Sequence, residues 1–327
     1  MSASFPSRWL AALLCMLPLL PMAAQPPAPT PLALMAAQHV SDADHAMLLA
    51  STRAGERIVA VGDHGVVLLS DDRGASFRQA KTVPVDSTLT GVSFVDARQG
   101  WTVGHWGAIL HTSDGGEHWA VQRSDVSTDR PLFAVHFFDA KHGVAVGLWS
   151  LVLVTEDGGS HWRAVTMPLP DGAKKADLNL WGLFADNNAR LFATAEKGML
   201  LRSDDLGRTW VYLSTGYKGS FWTGLAGANG SLLAAGLRGS LFRSTDDAHT
   251  WTRLDTGSDS SITALAKVGK AVFAVGADGL VLCSTDGGAS FKATPRADRL
   301  SLTSVVGASD GRAVFFSRQG VIFDAKP

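Results

Sequence analysis

The sequence lacks several features that would assign it to a familiar functional class. Its 327 residues include only 2 cysteines and 2 tyrosines, and 29 basic residues nearly balance 30 acidic ones. Balanced charge provides no basic field for nucleic acid or for a membrane surface, so we expect neither as a partner. The 10 histidines form no His-Glu-x-x-His or paired-cysteine arrangement. We therefore expect no metal site and no cofactor.

No apolar run reaches the roughly 20 residues that a membrane-spanning helix needs. The longest run near the start, Trp9–Leu20, follows the positive Arg8 and is typical of an export signal over residues 1–24. Cleavage, retention and lipidation at Cys15 all stay open. We expect a periplasmic protein, whether free or membrane-associated through its partner. If the signal is removed, only Cys283 remains, which excludes an intramolecular disulfide.

One short pattern, Ser/Thr-x-Asp-x-Gly-x-x-aromatic, recurs along the chain. Its copies, here called boxes, begin at residues 70, 112, 155, 203, 244 and 284, so consecutive copies start 40 to 48 residues apart. A period of that length, built from short strands, indicates the blades of a β-propeller. The box aspartates are Asp72, Asp114, Asp157, Asp205, Asp246 and Asp286.

Similarity between the copies extends upstream of each box. Every unit reads as a strand, a glycine-bounded turn, an apolar strand, the box and a further strand, and a seventh unit around Gly320 stops before any box. We predict an all-β fold, a seven-bladed propeller with four-stranded antiparallel blades over residues 45–327. Residues 25–44 are predicted to form a proline-rich linker and a closing strand, Leu32–Val40, that completes the last blade.

The boxes look like chemical sites but are better explained as turns. A Ser/Thr hydroxyl and an Asp carboxylate can bind the backbone of their own turn, and glycine adopts the positive φ that such a turn requires. His118 and His161 stand where other copies have Ser or Thr. Because a metal or catalytic ligand is not interchangeable with serine, we interpret all the boxes as structural.

The stretches "AVGADGLVLCSTDGGASF" and "VGHWGAILHTSDGGEHW" carry a more specific resemblance. They are similar to the Asp-box (BNR-repeat) propellers of the photosystem II stability/assembly factor-like family, over about residues 45–325. The resemblance implies a non-enzymatic protein-binding propeller. It further implies an exported assembly, stability or accessory factor for an envelope membrane-protein complex or a transporter. Ala248 in the fifth box and Ser150 at a turn glycine depart from the pattern.

Two alternatives use the same fold. Sialidases and related glycosidases also carry Asp-boxes, but sialidases need a tyrosine nucleophile with an acid partner and an arginine cluster. Only Tyr212 and Tyr217 are present, and Tyr212 directly follows a box in an expected strand. The second alternative, a carbohydrate-binding module, would stack exposed tryptophans on sugar rings.

Specificity should lie where the repeats differ. The turn between the second and third strands varies most, and we expect it on the face opposite the boxes, together with the links between blades. Tryptophan and arginine commonly anchor protein interfaces. We therefore predict that a monomeric propeller binds a protein partner through His64, His105, Trp106, Trp149, Lys197, Arg238, Tyr217 and Arg318.

Overall fold

The computed structural model describes Met1, residues 35–227 and residues 230–323. Most of the predicted signal and the start of the linker, residues 2–34, therefore lie outside the described residues. No helix among the residues described is long and apolar enough to cross a membrane. The described residues from 35 onwards belong to one compact unit.

The strands of the first four sheets, taken in chain order, are grouped by blade. Blade 1 holds β1 (Leu48–Ala54), β2 (Arg57–Gly62), β3 (Val67–Ser70) and β4 (Arg78–Gln79), and blade 2 holds β5 (Leu89–Phe94), β6 (Gly100–Gly104), β7 (Ile109–Thr112) and β8 (Ala120–Arg123). Blade 3 holds β9 (Leu132–Phe137), β10 (Gly143–Gly147), β11 (Val152–Thr155) and β12 (Arg163–Ala164), and blade 4 holds β13 (Leu180–Ala185), β14 (Leu191–Ala195), β15 (Met199–Ser203) and β16 (Val211–Ser214).

The remaining three sheets continue the same order. Blade 5 holds β17 (Phe221–Ala226), β18 (Leu232–Gly236), β19 (Leu241–Ser244) and β20 (Thr252–Arg253), and blade 6 holds β21 (Ile262–Val268), β22 (Ala271–Gly276), β23 (Val281–Ser284) and β24 (Lys292–Ala293). Blade 7 holds β25 (Leu302–Gly307), β26 (Ala313–Ser317) and β27 (Gly320–Ile322). Single 3₁₀ turns lie at Ala43–His45, Asp63–Gly65, His105–Gly107, Leu148–Ser150, Leu237–Gly239 and Ala277–Gly279.

Apolar side chains of neighbouring blades share seven buried clusters, one at each blade-to-blade interface. The second strands lie deepest, and every residue of β10 is buried. First strands contact one another around the centre, including β1 with β25, so the ring closes. Ser51 and Ser304 hydroxyls meet across that closure at 2.8 Å. The predicted seven-bladed, all-β propeller is therefore confirmed.

The predicted closing strand differs from the structure. Blade 7 has three strands in the part of the chain that is described, and residues 35–40 form none. Ala37 N–H donates to the Val83 carbonyl and Val40 N–H donates to Gln79 Oε1, both at 3.0 Å. Because β4 is only two residues long, acceptors at and beyond its end are free to hold this segment on blade 1. The ring closes by packing of blade 7 on blade 1 instead.

Each box carboxylate is used by its own turn. In all six boxes the opening hydroxyl donates to Asp Oδ1 at 2.7 to 2.9 Å. That hydroxyl also accepts the N–H four residues on, as Ser70 does from Gly74. His118 and His161 place Nδ1 2.7 Å from Oδ2 of their box aspartate, where Ser76 places its hydroxyl at 2.6 Å. Histidine therefore replaces a hydroxyl in the turn.

The box aromatic seals an interface between blades. Trp119 and Trp210 are each 5% exposed, and their Nε1 atoms donate to the carbonyls of Gly116 and Gly207 at 2.9 Å. Each aromatic packs into the cluster shared with the preceding blade, as Trp210 does between blades 3 and 4. The boxes thus hold the ring together.

Replacing a sealed aromatic should destabilise the ring. We expect Trp210→Ala to lower the free energy of unfolding by about 3–5 kcal/mol, because a large buried side chain leaves a cavity. The neighbouring Val211, which is 49% exposed, is the control, and Val211→Ala should change the free energy by about 0.5 kcal/mol or less. Urea unfolding measures both variants. Equal, small losses would show that the box aromatic does not seal the interface.

The box carboxylates should make stability depend on acid pH. The pKa of Asp72 falls from 3.8 to about 2, chiefly through the Ser76 hydroxyl, and that of Asp246 falls to about 2 through the Thr250 hydroxyl. The pKa of Asp157 also falls to about 2, chiefly through the His161 N–H. Their stabilisation is complete above the unfolded pKa and is lost as pH falls from about 4 to about 2. Urea unfolding across that range should show the decline, and Asp157→Asn should flatten it; an unchanged slope in this variant would contradict the prediction.

Candidate functional site

The turns between second and third strands lie beside the links that join consecutive blades. Trp106 N–H donates to Asp129 Oδ1 at 2.7 Å, and Trp149 N–H donates to Asn179 Oδ1 at 3.1 Å. Arg238 N–H donates to the Ser261 hydroxyl at 3.1 Å in the same way. We call this face, made of those turns and links, the link face. The opposite box face carries the boxes and the turns between first and second strands.

Backbone geometry separates the fixed part of each turn from the variable part. The turn residues His64, Trp106, Trp149, Lys197, Arg238 and Asp278 all have φ between 50° and 58°. That left-handed region is uncommon for residues other than glycine. The following glycine is confined: a Cβ on Gly198 would lie 2.1 Å from the Tyr217 carbonyl oxygen. The link therefore fixes the glycine, while the side chain before it varies between blades.

Most of the predicted partner-binding residues present their side chains on this face. His64, Lys197, Arg238 and Arg318 are exposed, and Trp149 is 54% exposed. A single exposed apolar side chain is common on a monomer, whereas several that lie together indicate a contact surface.

His105 and Trp106 are half-buried against the next link. His105 Nδ1 lies 2.9 Å from Asp129 Oδ2, so the same carboxylate holds both the ring and the Trp106 backbone. These two residues are therefore oriented by the link, and only part of each side chain is available to a partner.

Tyr217 lies differently from the other predicted residues. Its ring packs against Phe221 and Phe242 with centroids 5.3 and 5.4 Å away, and its hydroxyl donates to the Leu237 carbonyl at 2.9 Å. The tyrosine joins the cluster between blades 4 and 5 because its link folds back over that interface. It shapes the link face mainly from within.

The charges of the link face are unevenly balanced. Asp129 is held by His105, and Glu196 accepts a hydrogen bond from the Asn179 amide at 3.0 Å. The pKa of Asp63 is lowered, chiefly by a hydrogen bond from the Thr88 hydroxyl. Within residues 35–227 and 230–323, none of the ion pairs involves the turn cations listed here: Lys197, Arg238 and Arg318. These three cations are therefore available to pair with an acidic group on a partner.

A set of inner-strand residues on the same side was not predicted. In every blade the pairing of the first strand with the second strand skips the second residue of the first strand. This unpaired residue forms a β-bulge. Bulges redirect a side chain. The bulge residues, in blade order, are Leu49, Thr90, Phe133, Trp181, Trp222, Thr263 and Thr303.

Blade 1 has a leucine at its bulge, three blades have a threonine and three have an aromatic residue. Thr90 and Thr263 donate to the first inner carbonyl of the next blade, at 2.6 and 2.8 Å. Blades 3 to 5 carry aromatics instead, and Phe133 stacks on Trp181 with centroids 4.7 Å apart. We call Phe133, Trp181 and Trp222 the aromatic arc. Since each inner strand begins at a link, the arc borders the centre of the link face, beside the half of the ring that carries Trp149.

A comparison of the inner strands would have revealed the arc. The second positions of "LTGVSF", "LFAVHF" and "LWGLFA" change from Thr to Phe to Trp while the first position stays leucine. Such an abrupt change within one repeat position is a signal of specialisation. The bulge itself has no local sequence mark, because its cause is pairing with a neighbouring strand.

A groove of about 740 Å³ opens on the outer side of blade 4, next to Lys197. The link residue Leu169 and the strand residues Met199 and Tyr212 are among its lining. Burial raises the pKa of Tyr212, which packs against the cluster between blades 3 and 4. This tyrosine is therefore poorly suited to act as an ionised nucleophile.

The histidines in the boxes and beside them are held in structural contacts. His111 Nε2 lies 2.8 Å from Gln99 Oε1, its ring lies against Trp101, and burial lowers its pKa. No group of three or more metal-binding side chains occurs in the described part of the chain.

These observations define the molecule as an Asp-box β-propeller with a variable link face. The sequence model of the family described as photosynthesis system II assembly factor YCF48 matches residues 79–252, more than half of the chain. The chain belongs to this family of photosystem II assembly factor-like propellers.

Solved structures agree with the fold. The chain is similar to the structure described as YCF48 bound to D1 peptide, with a TM-score of 0.70, 18% identity, and coverage of 89% of this chain and 95% of that one. It is also similar to YCF48 from Cyanidioschyzon merolae, with a TM-score of 0.65, 16% identity, and coverage of 85% and 95%. No curated protein matches the sequence.

Proposed function

We propose that this chain is an exported, non-catalytic propeller that binds a protein partner through its link face. It serves as an assembly, stability or accessory factor for a membrane-protein complex of the envelope. The observation that carries the proposal is that the exposed Trp149, the aromatic arc and three cations without an ion pair among the described residues lie on one face, where the repeats differ most. The export signal that the sequence predicts over residues 1–24 is the basis for proposing a periplasmic location.

The chemistry of the face favours a protein partner. Exposed tryptophan and arginine are the side chains that most often anchor protein interfaces, and a central apolar patch surrounded by charge is typical of them. Trp149 and the arc provide the apolar part, while Lys197, Arg238 and Arg318 provide charge. The relative described as bound to D1 peptide supports a protein ligand for a propeller of this family.

The box face is a poorer candidate for recognition. Each of its box carboxylates already accepts hydrogen bonds from its own turn, as Asp114 does from Thr112 and from the His118 N–H. Groups engaged in this way have little left to offer a ligand. The box carboxylates are therefore poor recognition groups, which favours the link face as the main partner-binding surface.

Site-specific photo-crosslinking tests the face directly. A photoreactive phenylalanine analogue placed at Trp149 or Arg238 should crosslink to the envelope partner in cells. The same analogue at His161, an exposed box residue, is the matched control and should not. A crosslink to a membrane protein from His161, with none from Trp149 or Arg238, would contradict the proposal.

Paired substitutions test the energetic contribution of the same residues. Trp149→Ala with Arg238→Ala should weaken binding to the crosslinked partner by about 100-fold, since interface anchors contribute about 2 kcal/mol or more each before any non-additivity. Val211→Ala, on the outer strand of blade 4, should bind normally. Unchanged affinity in the double variant would remove these residues from the interface.

A carbohydrate ligand is the second candidate, and the aromatic arc favours it because stacked rings also bind sugars. A glycan array probed with the full chain separates the two. Saturable binding to a glycan that is lost in Trp149→Ala, without any protein crosslink, would replace the proposal with a lectin function.

A further inference from the structure

In the part of the chain that the structure describes, one blade-to-blade interface has no box aromatic to seal it. Box aromatics pack into six of the seven clusters: Phe77, Trp119, Trp162, Trp210, Trp251 and Phe291. Among the described residues, the cluster between blades 6 and 7 has no such aromatic, and the described part of blade 7 contains neither a box nor a fourth strand. In the described structure this interface therefore has a buried apolar cluster like the others, but no box covers it.

In other blades one residue of the second strand is buried under the box of the next blade. The equivalent residue of blade 6 is accessible. Val144, Leu233 and Val314 stand at the same place in the second strands of blades 3, 5 and 7 and are at most 6% exposed. The box glycine of the next blade lies directly on them, and a Cβ on Gly207 would approach Val144 Cγ2 to 2.5 Å. Phe273 is the equivalent in blade 6, and it is only partly buried. An aromatic ring is thus left at a surface that the fold normally covers.

A cavity of about 320 Å³ lies over this ring. Its lining includes Phe273, Phe315, Ile322 and Phe323, and Phe323 is 51% exposed. An exposed apolar cluster of this kind, formed by several aromatics, indicates a contact surface.

The edge of β27 is also open in the described structure. In four blades a fourth-strand N–H donates to one third-strand carbonyl at 2.8 or 2.9 Å; these pairs are Ala80 to Val67, Val165 to Val152, Leu254 to Leu241 and Thr294 to Val281. Each of those third-strand residues pairs with the penultimate residue of the second strand, and Val321, which pairs with Phe316, is the equivalent in blade 7. No described residue bonds the Val321 carbonyl in this way. The edge therefore offers backbone acceptors beside an apolar cavity.

We propose that the cleft between blades 6 and 7 is a second docking site, which takes an extended segment of a partner protein. The segment pairs with β27 as a fourth strand, and one large aromatic side chain enters the cavity over Phe273. The other six interfaces indicate this chemistry. In each of them the place that is open between blades 6 and 7 is filled by a box aromatic, which is followed by a short strand. Strand addition to an open edge is an established mode of peptide recognition.

The chain's own linker is a less suitable occupant. Residues 35–40 lie on blade 1. The preceding stretch contains Pro26, Pro27, Pro29 and Pro31, which have no N–H to donate to a neighbouring strand. A partner segment without proline fits the acceptors of β27 better.

The cleft is independent of the link face. Its wall includes Gly74 of the first box and Gly311 and Arg312 of the turn between β25 and β26, all on the box face. The two sites could therefore hold one partner at two places, or two partners at once.

A peptide from the chain itself is the appropriate probe. The sequence of residues 203–214, SDDLGRTWVYLS, supplies the box, the aromatic and the fourth strand of blade 4. A fluorescent copy of this peptide should bind the full chain saturably in an anisotropy titration. A copy in which alanine replaces the tryptophan should bind at least about tenfold more weakly. Hydrogen exchange should slow at residues 320–323 when the peptide binds.

Charged substitutions at the cleft separate docking from folding. Phe323→Asp and Phe273→Glu should each weaken peptide binding about tenfold or more, while Val211→Asp, an equally exposed apolar position, and Trp149→Ala should leave it unchanged. Urea unfolding of each variant shows that the ring is intact. Failure of the peptide to bind, or binding that both cleft variants retain, overturns the proposal. Retained peptide binding in Trp149→Ala also shows that binding at the cleft does not depend on the link face.

Discussion

Apolar burial between neighbouring blades is the interaction on which the rest of this molecule depends. A single four-stranded sheet with both faces apolar cannot remain in water, so each blade needs a neighbour on either side. The ring meets this need for all seven, with β1 packed against β25 at the closure. The box serves the same need, since its aromatic seals an interface and its aspartate fixes the turn that presents the aromatic.

The division of labour between the two faces follows from that constraint. Residues that close interfaces cannot vary freely, and the box face is occupied by them. On the link face the constrained element is the last residue of each turn, which is glycine in every blade except blade 3, where it is Ser150. At Gly65, Gly198 and Gly239 a Cβ would lie 1.9 to 2.1 Å from a link carbonyl oxygen. The preceding residue extends outward and is free to differ, so it can be aromatic at Trp149 and cationic at Arg238 without cost to the ring. A fold built from near-identical units thereby gains one variable surface.

Much of this was predictable from the sequence, and the limits have identifiable causes. The six boxes and the flanking glycines predicted blade number and strand order because each mark is local. The place of residues 35–40 was not predictable, since it depends on acceptors left by the short strand β4. Tyr217 was assigned to the surface because its link looked like a loop, yet its ring enters the core. The aromatic arc was missed because a bulge is set by pairing between strands, although the change from Thr90 to Phe133 to Trp181 is visible in the repeats.

If the boxes build the ring and the link face carries its specificity, the two faces should respond differently to a partner. Hydrogen exchange over the whole ring, measured with and without the partner recovered from the envelope, compares them. We predict slower exchange at the turns around Trp106, Trp149 and Arg238 and at the links beside them, with the box turns near Asp114 and Asp157 unchanged. Protection confined to the box turns, with the link face unaffected, would contradict it.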